Sequence, residues 1–453
     1  MVAPGFPPEQ PGTGGFRPAK LATYLPDFGW TAYVVSSTDA SPRCGTEYAG
    51  APRTVVERVK TIDSPATRLR RLRSRGPEGQ PELGAGLAQE PEQRATNGSS
   101  RGPSEAPRNA GGLGDWARGV LAWGDFPDHM SGWIPGAVRA TVRAVRETDA
   151  SAILATGPPF AAFAVGALAA RRTGRPLVLD YQDMWTLDPT DPHGGIGGRF
   201  ARDPSRLRRS AMERLEGWCL DRATHVVFCA ERGRDLYLEG FPEIADRMSL
   251  IEMGADPATL DGLTGLPIET GVIRHVGLVH LFQLRQVSAL LRGLASLDGD
   301  VAGAARLEFV GNASISSTAR IRAEAAELGL EDRVGFVERV PHAEATRRIV
   351  TAQANLVFDG GNAHLRPSKL SELWASNRPV LAFAVDGGST ANEVLREAGH
   401  LITAPYSTAE VAAALEAVRT APSEPSTPQV PERHSRIANA RDFARVLDQI
   451  SGG

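Results

Sequence analysis

Only three cysteines occur among 453 residues, Cys44, Cys219 and Cys229. None forms a CxxC pair, which argues against a disulfide framework and against structural zinc. A large excess of charge of one sign is also lacking. The formal net charge is -3, so no general basic surface offers itself to nucleic acid, and any phosphate ligand must be recognised locally. Long apolar runs are missing too. The longest, at 160–170, is about half of what a bilayer crossing needs and ends in Arg171 and Arg172. No basic segment followed by an apolar run opens the chain, so no secretory signal is read and a soluble cytoplasmic protein is expected. Asp188, Asp191 and His193 come nearest to a metal set but are separated by prolines and read as a turn. Neither a metal nor another cofactor is expected.

What is present suffices for two cores: 42% of the residues are apolar, and the length exceeds that of one ordinary domain. Between about 65 and 114 the chain turns rich in Arg, Gly, Pro, Ser and Glu and nearly lacks aromatic and β-branched residues. Such a stretch cannot bury enough to fold and is expected to be a disordered insertion. It begins with Arg68, Arg70, Arg71, Arg73 and Arg75, a cluster suited to peripheral contact with anionic lipid or a polyanion, although Glu78, Glu82, Glu90 and Glu92 offset it. On either side, short apolar segments alternate with helical ones. Strands are read at 32–36, 152–155 and 176–180, and helices at 18–28 and 161–172. The alternation restarts after Asp256, with strands at 272–276, 306–310, 334–337, 354–358 and 380–384 and helices near 287–297, 317–328 and 343–352. Helices alternating with short buried strands imply parallel sheets. Two doubly wound α/β domains follow, 1–262 and 263–430, with a closing helix in 431–453. The start is irregular, since only residues 1–3 precede Pro4 and the loop PPEQPGTGG. The first strand reads as clipped: either the true start lies upstream or this edge of the sheet is built from very few residues.

The segment 364–380, HLRPSKLSELWASNRPV, carries the most chemistry. A helix opening around Lys369 presents unpaired N–H groups and a partial positive charge to phosphates. Lys369, in the first turn, adds a full charge, and Glu372 is placed to accept hydrogen bonds from a pair of ribose hydroxyls. A DGG turn follows at 386–388. An ordinary solvated helix is the plainer alternative, because helix-end preferences explain much of the same pattern.

Two such domains with a nucleotide-type site in the second resemble the GT-B architecture, and several motifs together resemble glycosyltransferase family 4. That family carries two glutamates separated by seven residues, then an alanine and a proline. The second glutamate falls on Glu372, the alanine on Ala375 and the proline on Pro379, while the first glutamate falls on His364. GGFRPAKLATYLPDFGWTAYVVSS is similar to the family's first glycine loop, helix and second strand, where Gly14 and Gly15 let the backbone approach the sugar diphosphate. ILATGPPFAAFAVGALAARRTGRPLVLDYQDMW resembles a strand, a PP turn, a helix and a strand ending in an Asp-Phe-Arg-Asp-Pro-Trp motif. Asp180, Asp183 and Trp185 are kept; Gln182 and Met184 replace the arginine and the proline. HVGLVHLFQLRQ resembles the loop whose basic residue grips the donor pyrophosphate, here Arg285. VGFVERVPHAEA resembles the loop that brackets the base, with His342 in it, and MGADP stands at the linker turn.

The resemblance implies a transferase that moves a sugar from a nucleoside-diphosphate sugar with retention and without a covalent intermediate, its diphosphate leaving group accepting the acceptor's proton. It implies catalytic parts for Asp183, Arg285 and Lys369. Donor binding falls to Gly14, Gly15, Arg285, His342, His364, Pro367, Ser368, Lys369 and Glu372. Acceptor contacts fall to Arg17, Asp128 and Trp185, and the acceptor is expected to be a small natural product. Three other readings stay open: a dinucleotide-dependent oxidoreductase, although GTGGFR lacks the third glycine of GxGxxG, a nucleotide-sugar epimerase, and a catalytically silent partner subunit.

Overall fold

The computed structural model describes residues 1–7, 15–38, 54–63, 123, 125–187, 204–297, 305–311, 315–360, 363–364, 366–383, 388–400, 402–403, 407–420, 424–425 and 427–452. The stretch 65–114, with its arginine cluster, therefore lies outside the described residues, as do Gly14, Cys44, Asp188, Asp191 and His193.

The first domain is built on β1 (Tyr33–Ser37), β2 (Val55–Val59), β3 (Ile153–Gly157), β4 (Leu177–Tyr181), β5 (His225–Phe228) and β6 (Met248–Leu250), with every pairing parallel. Val2 sits between β1 and β3, bridging Val35 on one side and Ala155 on the other. Its N–H donates to the Leu154 carbonyl at 2.7 Å, and its own carbonyl accepts from Thr156 at 3.1 Å. The order is thus β2-β1-Val2-β3-β4-β5-β6, a doubly wound sheet whose first segment lies at the centre. This corrects one expectation: the short start is the middle of the sheet rather than an edge, and ladders on both sides let so few residues hold the place.

Flanking helices are α1 (Phe16–Tyr24), α2 (Ile134–Thr148), α3 (Ala161–Thr173), α4 (Pro204–Arg222) and α5 (Glu231–Gly240). All residues of β3 and β4 are buried, as expected for parallel strands covered on both faces. α3 approaches β3 so closely that a Cβ on Gly166 would lie 2.8 Å from the Ala155 Cβ, so only glycine permits the contact.

The second domain repeats the plan. β7 (Glu269–Val276), β8 (Arg306–Val310), β9 (Val334–Val337), β10 (Ala352–Val357), β11 (Val380–Phe383) and β12 (Ile402–Thr403) pair in the order β12-β11-β10-β7-β8-β9, all parallel. Around them lie α6 (Leu284–Ala295), α7 (Ile315–Glu327), α8 (His342–Thr351), α9 (Leu370–Ala375), α10 (Thr390–Glu397) and α11 (Thr408–Thr420). The last helix, α12 (Arg436–Ser451), returns to the first domain. Its Phe443, Ala444, Val446 and Leu447 share one apolar cluster with Leu21, Leu25, Leu154, Val178 and Val227. Full burial of a side chain such as Phe443 is worth roughly 2–3 kcal/mol, which fastens the end of the chain to the first core. Gly254 marks the crossing: Ala255 N–H donates to the His434 carbonyl at 2.7 Å, and Arg436 N–H donates to the Ala255 carbonyl at 2.9 Å. Among the described residues, no helix is long and apolar enough to cross a membrane.

Candidate active site

In a doubly wound sheet, ligands bind beyond the carboxyl ends of the strands, where the strand order reverses. In the second domain that point lies between β7 and β10. The chain leaves β7 through Gly277 at φ 145 and leaves β10 through Phe358, Asp359 and Gly360 at φ 66. Two glutamines at the start of α6 hold these loops together. Gln283 accepts the His280 N–H at 2.8 Å and donates to the Phe358 carbonyl at 2.7 Å. Gln286 donates to Asp359 Oδ1 at 2.9 Å and accepts the Gly360 N–H at 2.9 Å. Ser389 takes the other Asp359 oxygen, at 2.9 Å. Both glutamines are buried, whereas Arg285 between them is exposed, because α6 turns its neighbours inward. His275 lies beneath the Gly277 loop, its Nδ1 3.2 Å from the Leu356 carbonyl. Burial pushes its imidazole down to about 4, so it is neutral near pH 7.

Glu372 is the centre of a second group of side chains. It stands in the first turn of α9 and is 7% exposed. Oε1 lies 3.1 Å from His342 Nε2, at the first residue of α8. Oε2 lies 3.4 Å from Lys369 Nζ but has no hydrogen-bond partner, although it is buried. Burial by itself would raise the carboxyl; Lys369, His342 and Arg436 together reverse that and hold it at about 2. Two local expectations change. Lys369 is the residue that caps α9 rather than part of its first turn, and its charge leans on Glu372. α9 is only six residues long, so its dipole adds less to anion binding than a full helix would. Pro367, whose carbonyl accepts the Leu370 N–H at 3.0 Å, Ser368 and His364 are partly exposed in the loop ahead of it.

The first domain departs further from the sequence reading. Arg17 is 1% exposed, so it presents no surface to an acceptor. Its Nε donates to both Asp180 oxygens at 3.1 Å, Nη1 to the Glu252 carbonyl at 3.0 Å and Nη2 to the Ile251 carbonyl at 2.7 Å. Thr156 donates to Asp180 Oδ2 at 2.9 Å, and Gln182 donates in turn to Thr156 Oγ1 at 2.8 Å. Gln182 thus extends a neutral network in place of a second cation beside Arg17. Trp185 is also internal, stacked on Phe160 at 4.9 Å and 6° and donating its backbone N–H to Tyr237 Oη at 2.9 Å. Asp128 accepts from the Met130 and Ala161 N–H groups, both at 2.9 Å, which commits it to the start of α3. The three residues expected on the acceptor side are therefore engaged within the domain. Asp183 remains exposed, two residues beyond the carboxyl end of β4. Gly15 caps α1 in an ordinary right-handed conformation.

The domains meet around this site. The Phe16 ring, at the tip of α1, lies 5.0 Å from the His342 ring. Ser371 donates to the Met253 carbonyl at 2.5 Å, and Arg232 pairs with Glu393 at 2.6 Å. Arg366 is a contributor that motif spacing did not reveal. Its side chain is 1% exposed and pairs through Nη1 with Glu252 Oε1 at 2.9 Å, leaving Nε and Nη2 buried without partners. The signal was an arginine inside a loop otherwise read for its lysine. Cys229 donates to the Gln182 carbonyl at 2.9 Å, and burial pushes its thiol up to about 12, so it is no nucleophile. No group of three or more His, Cys, Asp or Glu is placed to hold a metal ion among the described residues.

Residues 12–254, just over half of the chain, match the family model described as a glycosyl transferase 4-like domain. No match is found among curated proteins. Several solved structures are similar over nearly the whole chain. A glycosyltransferase from Rickettsia africae aligns with a TM-score of 0.55 at 13% identity, covering 97% of this chain and 95% of that one. A sucrose-phosphate synthase from Thermosynechococcus elongatus aligns with a TM-score of 0.54 at 16% identity, covering 97% and 91%. Anabaena HepE, solved in complex with UDP and glucose, aligns with a TM-score of 0.54 at 15% identity, covering 98% and 96%. At such identities the likeness establishes the fold.

Proposed function

The chain belongs to the glycosyl transferase 4-like family and has the GT-B fold, and from that premise we propose that it moves a hexosyl group from a nucleoside-diphosphate sugar to a small acceptor, with retention and without a metal. The observation that carries the reading is Glu372. A buried carboxylate kept ionised by Lys369 and His342, with one oxygen lacking a hydrogen bond, is an acceptor waiting for a donor. A ribose hydroxyl supplies one, and the adjacent cations suit the diphosphate that comes with it. Arg285, exposed at the start of α6, adds a guanidinium group toward the same charge. UDP is the first nucleotide to try, since the similarly folded HepE was solved with it.

In this reading the protein orients reactants and stabilises charge on the departing diphosphate. The acceptor hydroxyl attacks the anomeric carbon on the face the diphosphate leaves, and its proton passes to a leaving phosphate oxygen. Asp183, exposed at the carboxyl end of β4, positions the acceptor, and the Phe16–His342 contact narrows the cleft to exclude water. The two described cysteines are free thiols, in keeping with work in the reducing cytoplasm. The arginine cluster at 68–75 keeps its proposed peripheral role toward anionic lipid. Calorimetry with a panel of nucleoside diphosphates, followed by an assay of diphosphate release from the matching nucleotide sugar, tests the proposal. Release only on addition of an acceptor is expected. Turnover without an acceptor points to an epimerase or a hydrolase, and binding without turnover to a silent subunit.

A further inference from the structure

A groove of about 650 Å³ lies on the outer face of the first domain, formed by α2 and α3. None of its lining residues belongs to the donor site or to Asp183. Its apolar floor includes Ile134, Val138, Val142 and Leu168, and its rim carries Arg139, Arg143 and Arg146 of α2 and Arg172 of α3. Positions 139, 143 and 146 are four and three apart, so they form one stripe along the helix. Arg143 pairs with Glu57 of β2. Arg139, Arg146 and Arg172 are exposed and have no ion pair among the described residues. Among the described residues, Glu147 is the only carboxylate lining the groove. Unpaired like charges on neighbouring turns bring the fold no stability, yet here they frame an apolar strip in which Val138 and Val142 are buried and Ile134 and Leu168 half-buried.

We propose that this face docks on a bilayer surface rich in anionic phospholipid, with the guanidinium groups on lipid phosphates, the exposed Pro135 toward the acyl boundary, and the half-buried Ile134 and Leu168 taking apolar parts of the lipid that enter the groove. Charge complementarity selects this occupant. The chain as a whole is slightly acidic, at -3, so attraction to an anionic surface has to come from a local stripe such as this one. The apolar floor between the guanidiniums contributes nothing to a sugar-phosphate backbone, whereas an amphiphile engages both parts. The docking is independent of the reaction proposed above and of the arginine cluster at 68–75.

The test is co-sedimentation of the full chain with vesicles of phosphatidylglycerol and phosphatidylcholine, against vesicles of phosphatidylcholine alone. The expected result is binding to the anionic vesicles only, abolished by about 0.5 M salt and weakened at least about tenfold by combining Arg139→Glu, Arg146→Glu and Arg172→Glu. The corresponding triple change to Lys should retain binding, and a variant with Arg68, Arg70, Arg71, Arg73 and Arg75 all changed to Ser should retain most of it. Circular dichroism of each variant confirms folding, and the triple change to Gln replaces the Glu variant if that one fails to fold. The proposal is overturned if wild-type protein ignores anionic vesicles, binds neutral ones equally, or loses binding only in the Ser variant. It is equally overturned if light scattering shows that the Glu variant dissociates a dimer, which would make a second copy the occupant.

Discussion

Replacing Glu372 by Gln keeps the shape of the side chain and removes the charge that Lys369 and His342 converge on. If Oε2 accepts a ribose hydroxyl, the lost bond is one made to a charged group, worth about 1.5–3 kcal/mol. The dissociation constant of the nucleoside diphosphate should therefore rise roughly ten- to hundredfold. Weakening alone would not locate the contact, because a disturbed loop weakens binding too. Titration calorimetry with UDP and with 2′,3′-dideoxy-UDP, on wild type and variant, completes a cycle. Wild type should lose affinity when the hydroxyls are removed, and Glu372→Gln should barely notice, because its bond is already gone. A coupling of at least about 1 kcal/mol is expected from groups in direct contact. Additive losses, with the variant as sensitive to the missing hydroxyls as wild type, would refute the ribose assignment whatever the absolute affinities.

The same carboxylate makes stability depend on pH. Its pKa falls on folding from 4.5 to about 2, so its contribution of roughly 3 kcal/mol is complete above pH 4.5 and is lost as the pH drops toward 2. Urea midpoints of wild type and Glu372→Gln should stay equally far apart from pH 8 to 5 and close by roughly 1 kcal/mol at pH 3.5; a constant gap counts against the depressed carboxyl. Arg285→Ala should weaken nucleoside diphosphate binding by about 1.5–3 kcal/mol while changing unfolding free energy by less than about 1 kcal/mol, and unchanged calorimetric affinity would remove it from the site. Arg17→Met leaves Asp180 buried and unpaired, so chemical denaturation should show a loss of about 3–5 kcal/mol with the acceptor KM of the folded fraction unaltered; a raised KM at full stability would restore the acceptor role. In Gly254→Ala the new Cβ would lie 2.6 Å from the Ser435 carbonyl carbon, a clash costing about 1–3 kcal/mol. Amides of α12 should then exchange faster with deuterium, and unchanged protection would contradict the packing.

Several elements were legible from local pattern. Apolar runs bounded by polar residues place β8 and β9 where the sequence reading has them, at 306–310 and 334–337, and α3 and α8 agree with it to within a residue. β5 and β6, only four and three residues long, are too short for a period to show, and neither they nor β2 and α2 are read from sequence alone. Around Glu372 the helix and the ionisable residues were visible, because capping and first-turn chemistry act over three or four residues. The sequence alone did not determine that His342, thirty positions upstream, would meet that carboxylate. β9 stands at the edge of the sheet with β8 and β7 between it and β10, so the starts of α8 and α9 meet only once the whole parallel sheet is assembled and the loops at its carboxyl ends converge.

By itself, the sequence determined two alternating α/β halves, a carboxylate and a lysine at a helix opening, and enough motif spacing to point to the glycosyltransferases. Tertiary structure decided which charges face outward. Arg17 follows a glycine loop and reads as available, yet Asp180 lies 163 residues further on and takes it into the core. Residues 1–3 read as a clipped edge, yet bridges to β1 and β3 put Val2 at the centre of the sheet. The physical reason is range. Periodicity, capping and turn preference depend on neighbours within a helical turn or two, whereas burial of a charge depends on a partner delivered by strand order, and strand order arises only when the whole sheet assembles.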